Sequence, residues 1–198
     1  ESEKRKVREC EFMGNNINII DLNHMDTALD DRFEFRGILP EEDEQAAAIE
    51  KICFPPNEAC SETIMKQRIA AAPDLFLVAV DRGTGKIAGF LNGLSTNECI
   101  FRDEFFVDVG LYYPKGENIM LLGLDVLPQY RGQGLAAAIV SRYIRRQAKR
   151  GRKQLLLTCL ESKIKMYEKM GFSNQGIAGS SWGGEQWYEM RCQLNCGE

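Results

Sequence analysis

The stretch "LDVLPQYRGQGLAAAIVSRYI", Leu124–Ile144, is an apolar run that halts at Pro128, passes Arg131 and two glycines, and enters a long helical pattern. A loop that leaves a strand and opens a helix carries backbone N–H groups with no partner, and the helix dipole adds positive potential there. Glycine at 132 and 134 removes the Cβ atoms that would hold an anion off and permits positive φ. Arg131 adds a fixed cation. The expected ligand is a phosphate or pyrophosphate. The plainer alternative is a glycine-softened helix start that binds nothing. A dinucleotide-fold loop is excluded because no acidic residue stands on a second strand about 20 positions on. A Walker loop is excluded because Gly-Lys-Ser/Thr is absent after the spacer. "GTGKIAG" (83–89) imitates a phosphate loop but leads into a strand, so it reads as a hairpin turn.

The chain has 198 residues, enough for one domain and a full core. Its net charge of −4 argues against a general nucleic-acid binder. No apolar run approaches membrane-spanning length, and "ESEKRKVREC" (1–10) has no apolar signal core. Seven cysteines and a single histidine, His24, offer no Cys-x-x-Cys and make a metal site an unsuitable reading. The expectation is a cytoplasmic protein with reduced, mostly buried thiols.

Residues 1–32 are charged and weakly periodic, and read as a loose or accessory leader before a single domain over 33–198. "FEFRGIL" (33–39) alternates as a strand, and Pro40 opens a helix to about Ile52. Ser61 caps a second helix that Pro73 ends. "LFLVAV" (75–80) and "KIAGFLNGL" (86–94) form a hairpin. Residues 96–116 have no clear assignment. "NIMLLGLDV" (118–126) is a strand, 132–150 a helix, "KQLLLTCL" (153–160) a buried strand, and "SKIKMYEKM" (162–170) a short helix closed by Gly171. Two strands around a glycine-rich turn finish the chain. The order β-α-α-β-β-β-α-β-α-β-β is a mixed α/β domain.

"QYRGQG" resembles the acetyl-CoA pyrophosphate signature of the GNAT superfamily of N-acetyltransferases, and "YEKMGF" (167–172) resembles that superfamily's Tyr-x-x-x-Gly-Phe ending. Within it, "LDVLPQYRGQG", "LTCLESKIKMYEKMGF" and "YEMRCQL" are similar to the arylalkylamine (serotonin) N-acetyltransferase branch. The resemblance spans roughly 33–194. It implies a central mixed, mostly antiparallel sheet flanked by helices, with acetyl-CoA as co-substrate and no metal. Pantetheine would lie along backbone groups of Leu124 and Val126, beside Asp125. The pyrophosphate would sit on N–H groups of Arg131, Gly132, Gln133, Gly134, Leu135 and Ala136. Tyr167 would contact the coenzyme sulfur, though its helical spacing with Ile164 and Gly171 also suits plain core packing.

The implied reaction is direct attack of a small-molecule primary amine on the thioester in a ternary complex. The runners-up are a protein or peptide amine acetyltransferase, and a coenzyme-binding module without turnover. An alkylammonium has a pKa near 10, so supplying its deprotonation at pH 7 is worth roughly 4 kcal/mol. The arylalkylamine branch has two histidines where this chain has Met120 and Leu122. Replacement bases are Asp125, Glu161, or Asp103, Glu104 and Asp108 of "RDEFFVD". Asp125 alternates away from Leu124 and Val126, and Glu161 would equally cap the short helix. The basic run 142–153 reads chiefly as a solvated helix end. "FPPNEAC" (54–60) and the tryptophans Trp182 and Trp187 are candidates for the acceptor wall; the latter hairpin is alternatively a dimer contact in a monomeric or homodimeric protein.

Overall fold

The computed structural model describes residues 27–194. Among these residues, seven strands form one sheet in the order β1-β2-β3-β4-β5-β7-β6. They are β1 (Phe33–Arg36), β2 (Phe76–Asp81), β3 (Lys86–Thr96), β4 (Asn118–Val126), β5 (Gln154–Cys159), β6 (Ser173–Ile177) and β7 (Tyr188–Gln193). Only β4 and β5 pair in parallel; every other neighbour is antiparallel. Among the described residues, five helices accompany the sheet: α1 (Thr27–Asp30), α2 (Asp43–Cys53), α3 (Glu62–Ala71), α4 (Leu135–Lys149) and α5 (Ile164–Lys169). The mixed, mostly antiparallel sheet with flanking helices matches the expected architecture. The unassigned 96–116 region holds two short 3-10 turns, Asp103–Phe106 and Val109–Leu111. Their aromatic and charged residues lack both periodicities, which is why no element was legible there.

Two cores cover the two faces. Ala46, Ile49, Met65 and Ile69 of α2 and α3 meet Phe76, Val78 and Phe90 on one face. Leu135, Ile139, Tyr143 and Ile144 of α4 meet Leu77, Ala79, Leu91 and Ile119 on the other. Ser61 caps α3 as expected, its hydroxyl accepting the Ile64 N–H at 3.2 Å.

The basic segment is absorbed locally. Arg146 donates to the Phe76 carbonyl at 3.0 Å, Arg150 pairs with Asp74 at 2.9 Å, and Lys153 pairs with Glu117 at 2.7 Å. Arg142 reaches Asp30 at 2.6 Å, so the last residues of the charged leader dock on α4. His24 and the rest of that leader lie outside the described residues. Cys53, Cys60, Cys159 and Cys192 are free thiols, but Cys99 is disulfide-bonded, which corrects the expectation of uniformly reduced cysteines. No helix among the described residues is long and apolar enough to cross a membrane.

Strands β4 and β5 decide the rest. They pair only from Asn118–Gln154 to Met120–Leu156. Past that point β4 follows β3, and β5 follows β7. A bulge shifts the β3–β4 register between Asn92 and Gly93, leaving Leu122 as the extra residue on β4. A bulge sharpens local twist and ends regular pairing. The sheet splits at its centre, and a cleft opens between the diverging strands.

Candidate active site

The cleft has two connected parts. The longer is a groove of about 590 Å³ between the ends of β4 and β5. The backbone of β4 supplies its floor. The Leu127 N–H donates to the Ala88 carbonyl at 3.0 Å. Antiparallel alternation then turns the Asp125 backbone toward β3 and the Leu124 and Val126 backbones toward the gap. The Val126 carbonyl already accepts Arg131 Nε at 2.8 Å, which leaves its N–H for a ligand.

The Gly132–Gly134 loop closes one end of the groove. Gly132 and Gly134 have φ of +73° and +82°, values that L side chains rarely adopt. A Cβ at either would meet nothing within 4 Å, so both glycines face open space. The first intrahelical bond of α4 runs from the Ala138 N–H to the Gly134 carbonyl at 3.0 Å. The N–H groups of Leu135, Ala136 and Ala137 therefore have no helical acceptor, and these residues line the groove.

One expected donor is placed differently. The Arg131 N–H is engaged by the Pro128 carbonyl at 3.2 Å in the turn Pro128–Tyr130. The Gln133 side chain turns outward, accepting from Arg32 at 2.6 Å and donating to the Gln129 carbonyl at 2.9 Å. Lys163, which sequence reading passed over, lines the same groove.

The second part is a pocket of about 70 Å³ beyond the β4 bulge. Phe54, Glu58, Leu124, Thr158, Tyr167 and Trp187 line both parts, so the two meet there. Three loops build the pocket wall. Trp182 stacks on Phe106 with centroids 4.9 Å apart, and its indole N–H donates to the Glu58 carbonyl at 3.0 Å. The Trp187 indole donates to the Trp182 carbonyl at 2.7 Å. Asn57 donates to the Gly183 carbonyl at 2.8 Å, which ties the 54–60 loop to the tryptophan loop.

Tyr167 sits at the junction, its ring edge-on to Phe172 with centroids 5.7 Å apart. Burial, with repulsion from Cys159 and Asp125, pushes its hydroxyl well above the ordinary phenol range. It keeps its proton and is a hydrogen-bond donor rather than a strong acid. Burial also raises the Cys159 thiol to about 11, which suits an inert core thiol. Burial raises the Glu58 carboxyl, with Glu185 adding repulsion.

The candidate bases separate. Asp125 is fully buried on the α2–α3 side of the sheet, where neither carboxylate oxygen finds a hydrogen-bond partner. Burial first, then the Glu50 charge, raises its carboxyl well above the usual range. Glu161 is exposed at the start of a 3-10 turn and is not among the residues lining either part of the cleft. Asp103 accepts the Ser181 N–H at 3.1 Å, Glu104 pairs with Arg102 at 3.3 Å, and Asp108 accepts the Gly110 N–H at 2.8 Å. These three serve loop structure. Met120 is buried between neighbouring strands, while Leu122 borders the pocket. Sequence reading missed Glu50, Arg68 and Asn92, buried polar groups behind the pocket. The signal for Glu50 was present: it falls on the apolar face of α2 with Ala46, Ala47 and Ile49.

The model of the acetyltransferase (GNAT) family matches residues 42–172. No curated protein matches in sequence. Among solved structures, the GphF GNAT-like decarboxylase in complex with isobutyryl-CoA is 16% identical, with a TM-score of 0.67 over 82% of this chain and 100% of that one. The phosphinothricin acetyltransferase of Sinorhizobium meliloti in complex with AcCoA is 17% identical, with a TM-score of 0.61 over 84% of this chain and 90% of that one. The ribosomal-protein-S18-alanine N-acetyltransferase of Escherichia coli is 18% identical, with a TM-score of 0.61 over 84% of this chain and 96% of that one.

Proposed function

We propose that this chain, which belongs to the acetyltransferase (GNAT) family, carries an acetyl group from acetyl-CoA to the primary amine of a small molecule. The observation that carries the reading is the parting of β4 from β5 past Met120, into a groove with glycine-exposed amides at one end and an aromatic pocket at the other. The residues fit the co-substrate: positive φ at Gly132 and Gly134 leaves the loop's face bare for a diphosphate. In this reading the N–H groups of Gly132, Gln133, Gly134, Leu135, Ala136 and Ala137 receive the pyrophosphate, and Lys163 adds a cation. Leu124 and Val126 hold the pantetheine as a peptide would add to a sheet edge. Tyr167 donates a hydrogen bond to the departing sulfur. Two structural relatives, one in complex with isobutyryl-CoA and one with AcCoA, support the choice of carrier.

The aromatic pocket supports a small acceptor. Its volume of about 70 Å³ suits the reactive end of an amine, and Phe54, Phe106, Trp182 and Trp187 suit an apolar body. The test is thiol release from acetyl-CoA with a panel of monoamines, diamines and an unblocked peptide. The expected result is release above background that depends on a small primary amine. Tight coenzyme binding by calorimetry without amine-dependent release would instead establish a binding module. Release only with the peptide would establish a protein acetyltransferase.

A further inference from the structure

Glu50 lies on α2, 3% exposed, with its carboxylate split between two tasks. Oε1 accepts the Cys60 N–H at 2.8 Å. Oε2 is buried with no hydrogen-bond partner, and the residue lines the aromatic pocket. Gly123 lines the pocket beside it. A Cβ at 123 would stand 3.7 Å from Glu50 Oε2, 3.0 Å from Asp125 Oδ2 and 3.2 Å from Asn92 Nδ2. With glycine there, these polar atoms converge on bare backbone at the pocket floor.

The buried cation Arg68 makes no hydrogen bond to these carboxylates, although its charge acts on Asp125. Arg68 is 1% exposed and directs its guanidinium to the Phe106 carbonyl at 2.8 Å and Asn92 Oδ1 at 3.5 Å. Among the described residues it makes no ion pair with Glu50 or Asp125. A buried carboxylate oxygen without a donor is costly, so native proteins keep few of them. The pocket thus holds an unfilled demand for a hydrogen-bond donor, preferably a cationic one. An alkylammonium has the charge and three N–H donors.

We propose that Glu50 is the ammonium-binding residue of the acceptor pocket: its Oε2 receives the acceptor's protonated primary amine and takes one proton from it, which confines acceptors to alkylammonium ions without a carboxylate beside the amine. The inference rests on the acetyl-transfer reading above. The R–NH3+ group passes one proton to the Glu50 carboxylate and becomes R–NH2 with a free lone pair. As the C–N bond forms and the C–S bond breaks, the second nitrogen proton goes to the departing sulfur. Amide and thiol result, and Glu50 returns its proton to water. Arg68 from α3, Asp125 from β4 and Cys60 from the 54–60 loop surround the carboxylate, while Glu58 and Tyr167 share its pocket. An α-amino acid would bring a second carboxylate against that of Glu50.

Glu50→Gln is the sharp variant, because its amide oxygen still accepts the Cys60 N–H. With coenzyme A bound, calorimetry against 2-phenylethylamine and butylamine reads the ammonium site without turnover. At least one amine should bind the parent, and Glu50→Gln should bind it at least tenfold more weakly. Phenylalanine should bind the parent at least tenfold more weakly than 2-phenylethylamine. In turnover, kcat/KM of Glu50→Gln should fall by about 100-fold or more at pH 7 and recover toward pH 10, where the amine is its own free base. Affinity for acetyl-CoA should stay unchanged. Three results would each overturn the assignment: equal amine binding by parent and variant, no binding of either amine, or loss of acetyl-CoA affinity in Glu50→Gln. A parent that binds amine through Glu50 yet releases no thiol would sink the acetyl-transfer reading and leave the site standing.

Discussion

The loop end of the cleft, where the proposed function puts the pyrophosphate, is lined by one short stretch of chain, Gly132 and Gly134 to Ala137, whereas the aromatic end draws Phe54 and Glu58 from one loop, Phe106 from another, and Trp182 and Trp187 from a third. In that reading the first half works through backbone N–H groups, which every residue type carries. Its chemistry therefore depends on conformation, and conformation here depends on two glycines. The second half draws on side chains whose neighbours are distant in sequence: Trp182 and Glu58 lie 124 positions apart. A conformational site should fail abruptly when its backbone is strained. A side-chain site should fail in graded steps, one contact at a time.

Gly134→Val strikes the backbone half and should have the largest effect. A β-branched side chain at φ +82° is strained, and its bulk stands on the face an anion must approach. Losing two charge-assisted hydrogen bonds at about 1.5–3 kcal/mol each predicts acetyl-CoA affinity weaker by roughly 100-fold or more, read by calorimetry. An unchanged affinity would erase the distinction between the two halves. Tyr167→Phe strikes the junction. It should lower kcat by about 10–100-fold while leaving coenzyme affinity within about twofold. Full turnover in that variant would make Tyr167 a packing residue, the plainer of its two readings.

Asp125→Asn should give the smallest effect and the most specific one. The folded state holds the Asp125 proton above the pH where the unfolded chain, with a carboxyl pKa of about 3.9, releases it. Folding then takes up a proton, so the parent loses stability as pH rises above that value. The asparagine variant has no such slope. Its melting temperature should gain on the parent's between pH 4 and pH 8, and thermal melts across that range read the gap. A flat gap would mean the carboxyl ionises freely in the fold.

Several elements were legible because their signals are local. Val126 ends a strand before Pro128, Gly171 closes α5 at φ +93°, and Ser61 caps α3. The 3-10 turns between Asp103 and Leu111 were not legible, since turns of four and three residues leave no periodicity. Arg131 shows a subtler gap. The family resemblance implies its N–H among the anion donors, but that N–H donates to the Pro128 carbonyl. A motif locates a loop; it does not assign each donor within it.

Sequence by itself determined the strand-loop-helix unit, the positive-φ glycines and the family, because these depend on neighbours within a few residues and on motifs of fixed length. Tertiary structure alone decided that β4 and β5 part after Met120, that three loops wall the pocket, and that Glu50 lies beneath Gly123 with one oxygen unanswered. Those features depend on which distant surfaces share one space, and a buried polar atom shows its lack of a partner only when all its neighbours are in place.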